Sequence, residues 1–172
     1  MSNAGPTYDT DTYPLPDVLR FMQMLWAVVH GMGSVSKRMA HDVGVTGPQR
    51  LVIRVVGLFP GLSAGALSNT LHLHASTLTG ILQRLVAQGL IDRVEDDADR
   101  RRAVLRLTSR GRRVNGAATG TVEEAIARAL GSVSRRDREA TTRVLARLVE
   151  QLDSGATAPP QSRTRRPGPK SS

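Results

Sequence analysis

The sequence predicts a mainly α protein with one small β-hairpin, and three features of its 172 residues carry that expectation. Apolar side chains recur at three- and four-residue steps over most of the chain, the spacing of one helical face. A single pair of short apolar segments brackets a charged stretch, the pattern of two strands and a tip. Proline, glycine and hydroxyl residues stand at the joints between these runs, where helices start and stop.

The elements follow in order. Met1 to Tyr13 is polar and reads as a flexible arm. From Leu15 to Met39, the residues Leu15, Val18, Leu19, Met22, Leu25, Trp26, Val29 and Met32 form one stripe of a long first helix. Gly31 and Gly33 fall inside it, and a bend or a close helix crossing is expected there. Thr46-Gly47-Pro48-Gln49 combines a hydroxyl cap, a first-turn proline and a glutamine three residues on, a capping-box start for a second helix. Phe59-Pro60-Gly61 ends it. Ser63 caps a short third helix, Ala64 to Leu71. His74-Ala75-Ser76 opens a fourth, with Leu78, Ile81, Leu82 and Leu85 as its buried face and Gly89 as its stop.

Leu90 to Val94 and Ala103 to Leu107 read as paired strands around the charged segment Glu95 to Arg102. Ser109 to Leu130 is helical in pattern despite Gly111, Gly116 and Gly120, and Ser134-Arg135-Arg136-Asp137 caps a last helix through Leu152. Beyond Gly155, four prolines alternate with Arg163, Arg165, Arg166 and Lys170, a composition that cannot bury apolar surface and is expected to be a disordered basic tail.

Composition narrows the chemistry. The 24 lysines and arginines outnumber 15 acids, and a formal charge of +9 favours polyanionic partners such as nucleic acid or anionic lipid. No cysteine is present, which removes disulfides, thiolate metal sites and thiol nucleophiles together. No run approaches the ~18 apolar residues of a spanning helix, and the first residues lack a secretion pattern, so a cytoplasmic protein with no membrane partner is expected.

The order helix, turn, helix, hairpin has a specific physical use. The second helix of such a pair fits the major groove of a duplex, while the hairpin, or wing, reaches neighbouring backbone or minor groove. The outward face of the fourth helix carries Ser76, Thr77, Thr79, Gly80, Gln83 and Arg84. All but Gly80 can hydrogen-bond to phosphates or base edges, and the face holds no acid. An ordinary polar helix surface would look the same in isolation. The hairpin adds Asp99-Arg100-Arg101-Arg102 at its tip, where a carboxylate can orient a guanidinium for a narrow, electronegative groove.

These residues carry a family resemblance. Ser76-Thr77-Leu78-Thr79, Gln83-Arg84-Leu85, Gly89-Leu90-Ile91-Asp92-Arg93, Asp99-Arg100-Arg101 and Leu107-Thr108-Ser109-Arg110-Gly111 resemble, in order and spacing, the pattern of the MarR (multiple antibiotic resistance regulator) family of winged helix-turn-helix regulators. The resemblance runs from about Leu15 to Leu152. It implies a homodimer whose first helix and last two helices interlock, with two winged lobes reading a pseudo-palindrome in double-stranded DNA. In such regulators a small ligand often changes the lobe spacing, and aromatic acids are often the ones bound. By the same carry-over Arg101 is the minor-groove arginine, Asp99 its orienting partner and Arg100 a backbone contact, while Arg102 completes the basic tip. Two positions depart from the family pattern: Gly80 stands where arginine is common, and His74 replaces a small polar cap.

On that reading the chain divides into an arm at 1–13, a first dimerisation helix at 14–45, a winged helix-turn-helix DNA-binding lobe at 46–108, C-terminal dimerisation helices at 109–154 and a basic tail at 155–172. Trp26, His30, Arg50 and Leu51 are candidates for a ligand pocket, combining an aromatic wall with a cation. The plainer alternative makes Trp26 and Leu51 core and leaves Arg50 exposed. His72 and His74 lack the i, i+4 spacing of a helical metal pair, so no metal or cofactor is expected. No nucleophile elbow or phosphate-binding glycine loop occurs, which argues against an enzyme. The competing reading is an architectural nucleic-acid-binding protein in which the basic tail dominates and sequence is not read.

Overall fold

The computed structural model of the chain describes residues 14–95, 103–117 and 119–156. Among them, seven helices and three strands follow in the order α1 (Asp17–Asp42), α2 (Gly47–Leu58), β1 (Leu62–Ser63), α3 (Ala64–Leu71), α4 (Ala75–Ala87), β2 (Ile91–Glu95), β3 (Ala103–Leu107), α5 (Ser109–Gly116), α6 (Val122–Gly131) and α7 (Arg135–Ala156). The expected fold class is the observed one, a mainly helical chain with a small wing sheet. Two compact units divide the chain, Met1–Ile126 and Ala127–Ser172.

The first unit holds the core. Val52, Ile53 and Val56 of α2 meet Leu67 of α3, the Leu78-Ile81-Leu82-Leu85 face of α4, and Ile91 and Leu105 of the sheet. Fully burying one such side chain contributes roughly 1.5–3 kcal/mol, so the four on α4 fix the rotation of that helix about its axis. The sheet order is β1-β3-β2. β2 and β3 pair antiparallel from Ile91 opposite Leu107 to Glu95 opposite Ala103. β1 adds a two-residue third strand, Leu62 opposite Leu105 and Ser63 opposite Val104, where the sequence suggests only a hairpin.

Local chemistry sets the joints. Gln49 Oε1 accepts from the Thr46 backbone N–H at 2.9 Å and from the Thr46 hydroxyl at 3.2 Å, holding the start of α2. Ser63 Oγ accepts from the Ala66 N–H and caps α3. α3 ends in a Schellman turn, with bonds from His72 N to Asn69 O and from Leu73 N to Ser68 O. His72 occupies the left-handed position, φ 49°, that glycine usually fills. α4 ends the same way with Gly89 at φ 64°.

The structure differs from expectation at two places, in the absence of a close crossing at the α1 glycines and in the number of helices after the wing. α1 runs unbroken through Gly31 and Gly33, and among the described residues of the first unit no close crossing meets either position, since a Cβ there would find nothing within 4 Å. The single helix expected over Ser109 to Leu130 is two helices, α5 and α6. The chain leaves α5 at Ala117 in extended geometry, Gly120 takes φ 70°, and Thr121 restarts the helix by accepting from the Glu124 N–H. Glycine at 116 and 120 weakens helix continuity, and long-range partners for the α5 carbonyls, described below, decide the break.

In the second unit, Ser134 Oγ accepts from the Asp137 N–H to cap α7, as the sequence pattern indicates. Arg135 pairs with Glu139 one turn on. Val144, Leu145, Val149 and Leu152 are exposed along α7.

Candidate nucleic-acid interface

The α3–α4 pair and the three-stranded sheet place the candidate residues. Because Leu78, Ile81, Leu82 and Leu85 face the core, the remaining positions of α4 face outward. Ser76, Thr77, Thr79, Gln83 and Arg84 are all exposed, and no acidic residue lies among them. The Thr79 hydroxyl donates to Ala75 O at 2.7 Å, which leaves its oxygen lone pairs for an outside donor. Gly80 is half-buried on this helix, with no atom within 4 Å of a Cβ built there. His74 is the N-cap, but its side chain accepts nothing from the first turn, so the leading N–H groups of α4 receive no help from it.

The wing strands are described only to Glu95 and from Ala103. Asp99, Arg100, Arg101 and Arg102 lie outside the described residues. Glu95 pairs with Ala103, so the last residue of β2 and the first of β3 lie side by side. The base of the wing is tied to the end of α4. Thr108 Oγ1 donates to Gly89 O at 2.7 Å and accepts from the Gly111 N–H at 2.9 Å, while Thr108 N donates to Leu90 O. Arg110 donates to Gln88 O at 3.1 Å, placing a cation at the negative end of α4. The wing and the exposed helix face are thus fixed to each other through three consecutive carbonyls, Gln88, Gly89 and Leu90.

The candidate pocket residues are distributed differently. Trp26 is 67% exposed and Leu51 45% exposed, so neither is core within this chain. His30 is also exposed. Arg50 is 3% exposed, the reverse of the surface position that the plainer sequence reading gave it. Its guanidinium already holds the carbonyls of Val114, Asn115 and Ala117 and the carboxylate of Glu123. Among the described residues no group of three or more histidine, cysteine, aspartate or glutamate side chains could hold a metal ion.

A family model described as MarR family matches residues 43–102. Over those residues the chain is similar to the MarR family. The match covers α2 through β2 and stops before β3, so it includes the exposed helix face. The HTH-type transcriptional regulator TtmR of Methylorubrum extorquens is 34% identical over 92 residues, 54% of this chain and 47% of that protein, so the chain spans about half the length of this relative. The transcriptional regulator HosA of Escherichia coli is 29% identical over 113 residues, 65% of this chain and 84% of that one. In fold, the chain is similar to Staphylococcus aureus MepR crystallised with DNA, with a TM-score of 0.64 at 20% identity over 77% of this chain and 97% of the other.

Leu107-Thr108-Ser109-Arg110-Gly111 resembles the MarR pattern, but the sequence alone assigns that segment no task. The geometry supplies one, because Thr108, Arg110 and Gly111 join the wing to α4. The threonine-x-x-glycine spacing of an N-cap was the available signal. The burial of Arg50 had no local signal, since its partners lie 64 to 73 residues away.

Proposed function

We propose that this chain is a regulator of the MarR kind, a sequence-specific, DNA-binding transcriptional regulator that represses as a homodimer on a pseudo-palindromic operator. The observation that carries the proposal is the acid-free outer face of α4, fixed beside the wing by Thr108 and Arg110. Ser76, Thr77, Thr79, Gln83 and Arg84 contact base edges or phosphates in the major groove, and Arg100, Arg101 and Arg102 at the wing tip contact backbone or minor groove. Asp99 orients the tip. The relatives carry the name of transcriptional regulators, and MepR is crystallised with DNA, which supports the reading.

Dimerisation rests on α1. Val18, Phe21, Met22, Trp26, Val28, Val29 and Met32 are all exposed in the single chain, a contiguous apolar surface of the kind that marks an interface. Half-sites then lie about 34–36 Å apart, one turn of the duplex. For ligand release, exposed Trp26, His30 and Leu51 offer an aromatic and apolar surface to a small aromatic molecule, with Arg50 at the neighbouring joint. No helix among the described residues is long and apolar enough to cross a membrane, and a cytoplasmic regulator fits that observation.

A salt titration separates this from the architectural reading. Truncation after Asp153 removes only tail charges, and each lost phosphate contact lowers the slope of log affinity against log salt by about 0.9. Site-specific binding that survives truncation with a shallower slope supports the regulator. Loss of all binding on truncation contradicts it.

A further inference from the structure

We propose that Arg50 is a positioning residue whose grip on the α5–α6 joint sets the half-site spacing the protein accepts; this rests on the dimeric DNA-reading function proposed above. Arg50, Arg54 and Gly57 recur at i, i+4 and i+7, one stripe along α2, and this stripe receives the end of α5. Arg50 Nη1 donates to Val114 O and Nη2 to Ala117 O and Asn115 O, while Arg54 Nη1 donates to Asn115 O and to Asn115 Oδ1 at 3.1 Å. Gly57 lets Asn115 approach: a Cβ there would lie 2.8 Å from Asn115 Nδ2. A guanidinium fork therefore does the work that a left-handed glycine cap does elsewhere, holding the last carbonyls of α5 while the chain leaves in extended geometry.

The same cation reaches the next helix. Arg50 Nε donates to Glu123 Oε1 at 2.9 Å, and Arg54 Nε lies 3.6 Å from the same oxygen. Glu123 stands in the first turn of α6, where a carboxylate also suits the helix dipole. One buried guanidinium thus joins the negative end of α5, the start of α6 and α2. The α2 helix shares its core with the exposed reading helix through Val52, Ile53 and Val56. α6 runs on to Gly131 in the segment assigned to dimerisation. None of these groups lies on the outer face of α4, so their effect on DNA is through geometry and not through contact.

The test uses the full chain and duplexes built on the half-site that the wild type selects from random DNA. One duplex carries a single half-site; the others carry two, separated by spacers varied in single base-pair steps. Arg50→Lys keeps the charge but loses the fork, and Glu123→Gln keeps the shape but loses the charge. In both variants, affinity for the single half-site stays within about twofold of wild type, because the sites are distant. The penalty for moving the spacer off its optimum shrinks by about three- to tenfold, the size of effect seen for coupling residues that touch neither site.

An unchanged spacing profile in both variants, in chains whose thermal unfolding shows them folded, overturns the inference and leaves the proposed function standing. A parallel fall in affinity at every spacer and at the single half-site also overturns it, since loss of stability alone gives that pattern. A wild type that selects no half-site removes the DNA-reading function itself, and the inference falls with it.

Discussion

The carbonyl oxygen of Leu90 occupies the space that a β-carbon on Gly111 would need. A Cβ built at Gly111 falls closer than 3.0 Å to that oxygen, and both partners are backbone with little freedom to retreat. The contact lies where the end of α4 turns into β2 and the end of β3 turns into α5. Gly111→Ala is therefore expected to lower stability by about 1–3 kcal/mol or more, the range for overpacking a closed site. Thr108→Val, which removes the α5 cap and the bond to Gly89 O, costs about 1 kcal/mol. Denaturant unfolding of both variants checks the order.

Gly80 supplies the opposite case. Nothing lies within 4 Å of a Cβ built there, and the residue sits inside a helix. Gly80→Ala is expected to stabilise by about 0.5–1 kcal/mol with DNA binding retained. Gly80→Arg adds a cation on the outer face and steepens the salt dependence of DNA affinity by about 0.9 per phosphate gained. Thermal melting and salt titration read the two effects separately.

Removing the buried guanidinium at position 50 takes the donor from the carbonyls of Val114 and Ala117 and the nearer cation from Glu123, while Arg54 still donates to Asn115 O. Arg50→Met fills similar volume yet is expected to destabilise by about 1–3 kcal/mol, the cost of leaving buried acceptors unpaired, because the Glu123 carboxylate is 38% exposed and keeps Arg54 beside it. Equilibrium unfolding measures it. A change below about 1 kcal/mol would mean that water replaces the guanidinium freely.

On the proposed reading of the wing, Arg101→Ala is expected to weaken specific DNA binding by about 1–3 kcal/mol, the range for a base-reading arginine, with dimerisation unaffected. Fluorescence anisotropy with a selected operator, alongside sedimentation, gives both readouts. Equal affinity for wild type and variant would take Arg101 out of the recognition mechanism.

Much of this arrangement was legible in the sequence, and the exceptions share a cause. The Leu78-Ile81-Leu82-Leu85 spacing fixes which face of α4 is buried, so the outward residues could be named from periodicity alone. The caps at Thr46, Ser63 and Ser134 are local chemistry and were readable for the same reason. β1 was not, because two residues become a strand only when Leu105 and Val104, some forty positions on, arrive beside them. The α5–α6 break and the burial of Arg50 depend on each other across more than sixty residues. No window of sequence contains both. Asp99 and the arginines Arg100, Arg101 and Arg102 lie outside the described residues, and their assignment rests on the family pattern.

The most direct measurement of the central claim is selection of bound fragments from random duplex DNA by the purified full-length chain, with the stoichiometry of the selected complex determined by sedimentation. Two chains on an inverted repeat, with half-site centres about one helical turn apart, is the expected result. A single chain bound without enrichment of any sequence would contradict it.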